Sequence, residues 1–391
     1  MKRRTFLPLM ATAVAPAWGA EAKSSLDSDG TVLVDGKRTF LLGLYHPPAR
    51  KTRAESLRAV KEAGFDVVHA AAKPEALDEL AQHGLQGWCT TGLVPDKQRI
   101  AALVNRIRNH KALLYWETED EPSFIWKKPA ALRVRPDVIR DTYAYLRSLD
   151  PAHLVYLNHA PTNLVSTLQG YNPGADLIAT DVYPVIPHGI REQFALWPDG
   201  RQGDMLNPYI SQVGAYTRKM REVAGPQRAV LMVQQAFAWE LLRKPNDRDP
   251  KMVLYPTADQ LRFMAFQSIV NGANGLLWWG LSFTPETAPL WNGLAAVAKL
   301  LHSIHDELAA PRSIQAIRLE YHDTGHSLDR GIEWIAKKNI WMAVNADPNP
   351  VEVTVQGLPP GMQALAGAKP EWTGGGWRVK FPPFGDALWR G

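Results

Sequence analysis

Along most of the chain, short continuous apolar runs alternate with stretches whose apolar residues recur every three or four positions. The runs are Phe40–Tyr45, Asp66–Ala70, Leu85–Trp88, Ala112–Trp116, His153–Leu157, Asp176–Thr180, Ala229–Val233 and Gly275–Trp279. Unbroken apolar runs mark strands covered on both faces, which means a parallel sheet under helices. The intervening stretches carry the helical period. Ile100, Leu103, Val104 and Ile107 form one apolar stripe, and Ile139, Thr142, Leu146 and Leu149 form another that Pro151 terminates. Thr257 reads as an N-cap and Asn271-Gly272 as the stop of a further helix. A hairpin over Thr31–Phe40, turning at Asp35-Gly36, precedes the series. Eight alternations, with no Gly-x-Gly-x-x-Gly after any strand, favour a closed (β/α)8 TIM barrel over a doubly wound sheet.

From about Ala310 the rhythm changes. Ser313–Leu319, Ile332–Ala336, Ile340–Val344 and Val351–Val355 are short strand-like runs separated by Pro- and Gly-rich turns. They predict a small antiparallel β-sandwich domain. The expected organisation is a leader over 1–22, a barrel over 23–309 and a sandwich over 310–391.

The leader is read from its order of residues. Lys2-Arg3-Arg4 is followed by an apolar, Ala-rich run to Trp18 and then by small-residue sites ending at Ala22. Basic, apolar, small is the order of a secretory signal peptide, and Arg3-Arg4 also fits a twin-arginine signal. Export to the periplasm or beyond is therefore expected. The net charge of +5 loses much of its weight once the leader is set aside, and the remainder is too scattered for nucleic acid. Cys89 is the single cysteine, which rules out an intramolecular disulfide and a thiolate metal cluster. Its apolar neighbours mark it as a buried structural thiol, and no later run is long enough to span a membrane.

In such a barrel the reactive side chains stand at the C-terminal ends of the strands. Those ends read Tyr45-His46, His69, Thr90-Thr91, Glu119-Asp120-Glu121, Asn158-His159, Asp181-Val182-Tyr183-Pro184, Gln234-Gln235 and Trp278-Trp279. Carboxylates, amides that can hold hydroxyls, and aromatic faces for sugar rings make this a carbohydrate-type inventory. The fourth end crowds Glu117, Glu119, Asp120 and Glu121 together. Carboxylates so close cannot all ionise cheaply, so one is expected to keep its proton. Period-two alternation puts Glu117, Glu119 and Glu121 on one face, where Glu119 would act on Glu121. A merely solvated acidic loop is the alternative.

Asp120-Glu121-Pro122 resembles the Asn-Glu-Pro or Asp-Glu-Pro motif of the clan A glycoside hydrolases. Asp181-Val182-Tyr183-Pro184 resembles their strand-six turn, and Gln260–Trp279 their last helix and eighth strand. The C-terminal sandwich resembles the accessory domain of such enzymes. The resemblance implies a glycoside hydrolase with Glu121 as general acid and Asp120 as its neighbour. It also implies a sugar subsite lined by Tyr183 and Trp279, and no metal or organic cofactor.

One position departs from that pattern. The strand-seven nucleophile is expected where this chain has Gln234 or Gln235, and an amide cannot form a glycosyl ester. Asp181 is the favoured second carboxylate, against a structural reading in which it caps its own turn. Glu240 is the other candidate, against a reading as a partner of Arg243. Tyr45, His46, Glu119, Asp120, Asn158, Tyr183, Gln235 and Trp279 are expected to contact substrate. His46, His69, His159 and His188 lack metal-ligand spacing and read as structural or substrate-contacting imidazoles. Trp126, Trp197, Trp239 and Trp291 fall in loop-like stretches and either stack on sugar or pack on the barrel. Two rivals share the scaffold: a catalytically inactive carbohydrate-binding barrel, and a lyase using Tyr183 or His46 as base. The sequence leaves the sugar and the oligomeric state open.

Overall fold

The computed structural model describes residues 23–125, 128, 131–187, 195–196, 202–203, 207, 209–322 and 331–391. The leader, Trp126, His188 and Trp197 lie outside the described residues.

All eight apolar runs form parallel strands. They are Leu41–Leu44, Val67–His69, Gln86–Thr90, Leu113–Asp120, Leu154–His159, Leu177–Val182, Ala229–Gln235 and Gly275–Trp279, here strands one to eight. They close into a barrel in chain order. The last strand pairs with the first from Gly275↔Leu41 to Trp278↔Leu44. Alternate residues split the apolar content into two layers. Leu41, Val67, Trp88, Leu154, Tyr156, Leu177, Ala179, Leu231, Val233 and Leu277 fill the interior. Leu42, Val68, Leu157, Ile178, Met232 and Leu276 pack outward under the helices.

The helices start where their caps predict. Thr257 accepts from the Gln260 N–H while the Gln260 side chain accepts from the Thr257 N–H, and the helix Ala258–Val270 ends at Asn271. Gly272 follows with φ +99°, a conformation suited to glycine. The same reciprocal cap opens Arg53–Glu62 through Thr52 and Glu55.

The entry hairpin forms with both turn residues at positive φ, Asp35 at 48° and Gly36 at 75°. That is the backbone of a type I′ turn, matched to strand twist. With Ser24–Leu26 it makes a three-stranded sheet that plugs the N-terminal end of the barrel. Val32 packs into the barrel interior, and the Ser24 hydroxyl donates to the Leu114 carbonyl at 2.7 Å.

Beyond the barrel lie two four-stranded antiparallel sheets. One orders Arg318–Tyr321, Val351–Gln356, Trp377–Phe381 and Glu371–Trp372; the other orders Ile332–Lys337, Ile340–Asn345, Asp386–Arg390 and Gln363–Gly367. Val351, Val353, Trp377, Phe381, Trp341 and Trp389 fill the space between them. The first strand begins at Arg318 rather than Ser313, and the sequence reading missed the last four strands, although Trp377–Phe381 alternates apolar and polar residues. Helix Ala258–Val270 joins the two parts, with side chains buried on nearly every side. Its Arg262 forks onto Asp386 with both Nε–O distances at 2.9 Å.

Candidate active site

Inward-facing residues at the C-terminal strand ends meet above the interior core. Tyr45, Tyr183 and Trp279 pack on that core from above and keep partial exposure. The residues beneath them, including Trp88, Tyr115 and Tyr156, are shut off from solvent. The floor is aromatic. Trp88 stacks on Tyr115 at 5.5 Å and 16°, and the hydroxyls of Tyr45 and Tyr156 lie 2.8 Å apart.

Strand four breaks register with strand five between Glu117 and Asp120. An irregularity of this kind reverses which residues face inward. Asp120, rather than Glu119, therefore comes opposite Asn158, and its Oδ1 accepts from Asn158 Nδ2 at 2.9 Å. Glu119 turns aside to Arg133 at 3.1 Å. The expectation of one face shared by Glu117, Glu119 and Glu121 assumed an unbroken strand, and the break overturns it.

Glu121 follows with φ +41°. Left-handed backbone is uncommon for a residue with a side chain and costs on the order of 1 kcal/mol or more. The N–H of Glu121 donates to the Asn158 carbonyl at 3.0 Å, and its own carbonyl accepts from Phe124 N–H at 3.1 Å. The turn is thus held from both sides.

Asn158 also donates to Asp181 Oδ1, again at 2.9 Å. One amide nitrogen bridges the carboxyls of strands four and six. Tyr183 hydrogen-bonds Asp181 as well. Burial, then the charges of Glu121 and Asp120, push the Asp181 carboxyl well above the usual carboxylate range against those donors. Deeper in, Glu117 accepts from Trp88 Nε1 and Thr90 Oγ1, both at 3.1 Å. Burial and the Asp120 charge raise Glu117 to about 7. His69 lies 3.0 Å from Thr90 Oγ1 and is held down to about 4 by burial.

Next to Asp181 stands an aromatic wall. Tyr183 and Trp279 stack at 5.7 Å and 22°, with Phe237 edge-on to both at 5.1 Å. Trp239 donates from Nε1 to the Tyr183 carbonyl at 3.2 Å, and exposed Phe283 lies 5.3 Å from Trp279. Phe237 and Phe283 escaped the sequence reading because a lone Phe beyond a strand has no motif.

The two strand-seven amides direct their Nε2 groups to other partners. Gln234 points out to Met264 O and Ser268 Oγ, both at 2.9 Å. Gln235 points in, accepting from Val185 N–H at 2.9 Å and donating to Val185 O and Phe237 O at 2.9 and 3.0 Å. It clamps backbone rather than presenting a group to the mouth. Glu240 is buried in the following loop, where it accepts from the Asp249 N–H at 2.5 Å and from Arg243 at 3.2 Å. Trp291 belongs to the outer core against Phe65 rather than to a loop. His46 is lowered by burial with Nδ1 unpartnered, and His159 is fully buried beside Tyr171. Cys89 is buried, and burial pushes its thiol up to about 12. Among the described residues no group of three or more His, Cys, Asp or Glu side chains converges as metal ligands would. No described helix is long and apolar enough to cross a membrane.

The closed parallel barrel with a trailing sandwich is an architecture shared with solved glycoside hydrolases. A structure described only as a glycoside hydrolase superposes with a TM-score of 0.59 at 14% identity, covering 94% of this chain and 96% of that one. A family 5 glycoside hydrolase from Bacteroides vulgatus gives 0.58 at 12%, covering 93% and 91%. A beta-galactosidase from the psychrophilic Marinomonas ef1 gives 0.57 at 10%, covering 90% and 100%. At such identities the likeness is one of fold, and it is the clan-A-like barrel with sandwich that the sequence resemblance implied. No protein-family model and no curated protein matches the chain.

Proposed function

We propose that this chain is a glycoside hydrolase, exported from the cytoplasm, that cleaves a poly- or oligosaccharide with Glu121 as general acid and Asp181 as the second carboxylate. The observation that carries the reading is the gathering of the strand-four and strand-six carboxyls at Asn158, whose amide nitrogen holds Asp120 and Asp181 while its carbonyl anchors the backbone of Glu121. Two interacting carboxyls hold one proton between them, and its titration belongs to the pair. Burial makes Asp181 slow to give up its proton.

Substrate reverses the preference. Positive charge developing at the anomeric carbon stabilises ionised Asp181, so the proton passes to Glu121 and on to the glycosidic oxygen. The carbon–oxygen bond breaks, and its electron pair leaves with the protonated oxygen. Asp181 then either bonds to the anomeric carbon or takes a proton from the attacking water. Tyr183 and Trp279 offer a flat apolar face to a sugar ring. Asp120 offers carboxylate oxygen to its hydroxyls, whereas Asn158, expected from the sequence to contact substrate, is buried and holds the two carboxyls in place.

The engaged amides of strand seven favour the second reading, a barrel that binds sugar without cleaving it. Hydrolysis of a polysaccharide panel by the wild type, Glu121→Gln and Asp181→Asn separates the two. Sugar release that falls at least a thousandfold in both variants supports the enzyme. Binding without release from any substrate supports the rival.

A further inference from the structure

A cavity of about 750 Å³ opens at the other end of the molecule, between the base of the barrel and the sandwich. Thr31 of the entry sheet, the turn before strand eight around Asn274, and the strand Ile332–Lys337 line it. Ligand sites of small molecules have this size and often lie where two parts of a protein meet.

Its charge is unbalanced. Arg218, Arg221, Arg312 and Lys337 line it against Asp29 and Glu333. Both acids are already matched: Asp29 by Arg38 at 2.6 Å, and Glu333 by Arg218 at 2.6 Å. Arg221 spends its donors on the carbonyls of Arg228 and Gly225 and on Asn274. Lys337 donates to the Leu308 carbonyl at 2.5 Å, and Arg312 leans over the Trp334 ring at 5.9 Å. Among the described residues none of these three has a carboxylate within ion-pair distance.

The backbones of Arg312 and Lys337 pair as an antiparallel bridge. Directly opposed residues on paired strands send their side chains to the same side, and like charges placed so repel. Lys337 is pressed down to about 8, first by burial, with Asp29 pulling the other way and Arg38 and Arg312 adding to the fall. An anion between the two would ease both the burial of charge and the repulsion. The Glu333 wall is fixed in advance, since its carboxylate also accepts from Gln267 at 3.0 Å and Asn271 at 2.7 Å.

We propose that this cleft is a second binding site, remote from the carboxyls of the barrel mouth, that takes the anionic group of a small molecule between Arg312 and Lys337. The anion is either the carboxylate of a uronic acid or a free inorganic oxyanion, since both present oxygens to the same two cations.

The test is calorimetric titration of the mature chain with D-glucuronate, sodium sulfate and, as a neutral control, D-glucose, at low ionic strength. Binding of glucuronate or sulfate in the millimolar range or tighter, with none of glucose, is expected. Lys337→Met should weaken it at least tenfold while leaving sugar release at the barrel mouth unchanged. Should that variant fail to fold, Arg312→Gln on the exposed rim serves in its place. Glucuronate bound at least tenfold tighter than sulfate identifies a uronic acid; comparable binding identifies an inorganic anion. No binding of either, or binding that survives both substitutions, overturns the proposal.

Discussion

Asn158 Nδ2 donates to Asp181 Oδ1 at 2.9 Å, binding the end of strand five to the end of strand six. The same nitrogen holds Asp120, so the carboxyls of strands four and six answer to one amide on strand five. Asn158→Ala removes a donor that favours ionised Asp181, and its pKa must rise further. On the proposed mechanism kcat falls by two orders of magnitude or more, and the limb of the pH–rate profile set by the pair moves to higher pH. Unchanged profile and rate would leave Asn158 without a part in the chemistry.

Glu117 gives a stability test independent of activity. Its folded pKa of about 7 stands above the ordinary 4.5, so the folded protein keeps a proton that the unfolded chain releases. Stability from this group is complete below pH 4.5 and lost as pH rises through 7, by roughly 3 kcal/mol at most. Glu117→Gln keeps an acceptor for Trp88 and Thr90 but cannot ionise. Its melting temperature relative to wild type should therefore climb between pH 5 and pH 8.

Restoring a carboxylate on strand seven should not create a better enzyme. Gln235→Glu sets negative charge against the Val185 and Phe237 carbonyls, which now accept from the amide. Losing two buried hydrogen bonds costs on the order of 2–5 kcal/mol. Chemical denaturation should show that loss, with no gain in sugar release.

Arg262 faces an acid that is only 3% exposed, Asp386. Arg262→Ala leaves that acid buried without its partner, at a cost on the order of 3 kcal/mol. Burial already raises Asp386, and without the guanidinium it keeps its proton more readily. The loss should be larger at pH 8 than at pH 5, and Asp386→Asn in the same chain should recover part of it.

The barrel was legible because a strand buried on both faces must be apolar throughout, and such runs stand out between amphipathic helices. Leu41–Leu44 and Ala229–Gln235 are cases of that rule. The ring of strand-end residues followed from position alone. What the pattern could not carry was the register break after Glu117, because it depends on pairing with strand five and not on the local residues. That break decides whether Glu119 or Asp120 meets Asn158. Nor could the grip of Gln235 on Val185 be read, since that partner lies 50 residues away. The strands Gln363–Gly367 and Glu371–Trp372 were missed because their side chains are almost wholly exposed and leave no alternation.

Helix Ala258–Val270 buries Leu261, Phe263, Met264, Phe266 and Ile269 around its circumference, because the barrel covers one side and the sandwich the other. Deleting the sandwich would therefore not release a smaller working barrel. It would strip an apolar helix on the outside of the remaining protein and orphan Arg262. The chain should melt in a single transition, and shortened versions that stop near Ala310 should come out of cells as aggregate.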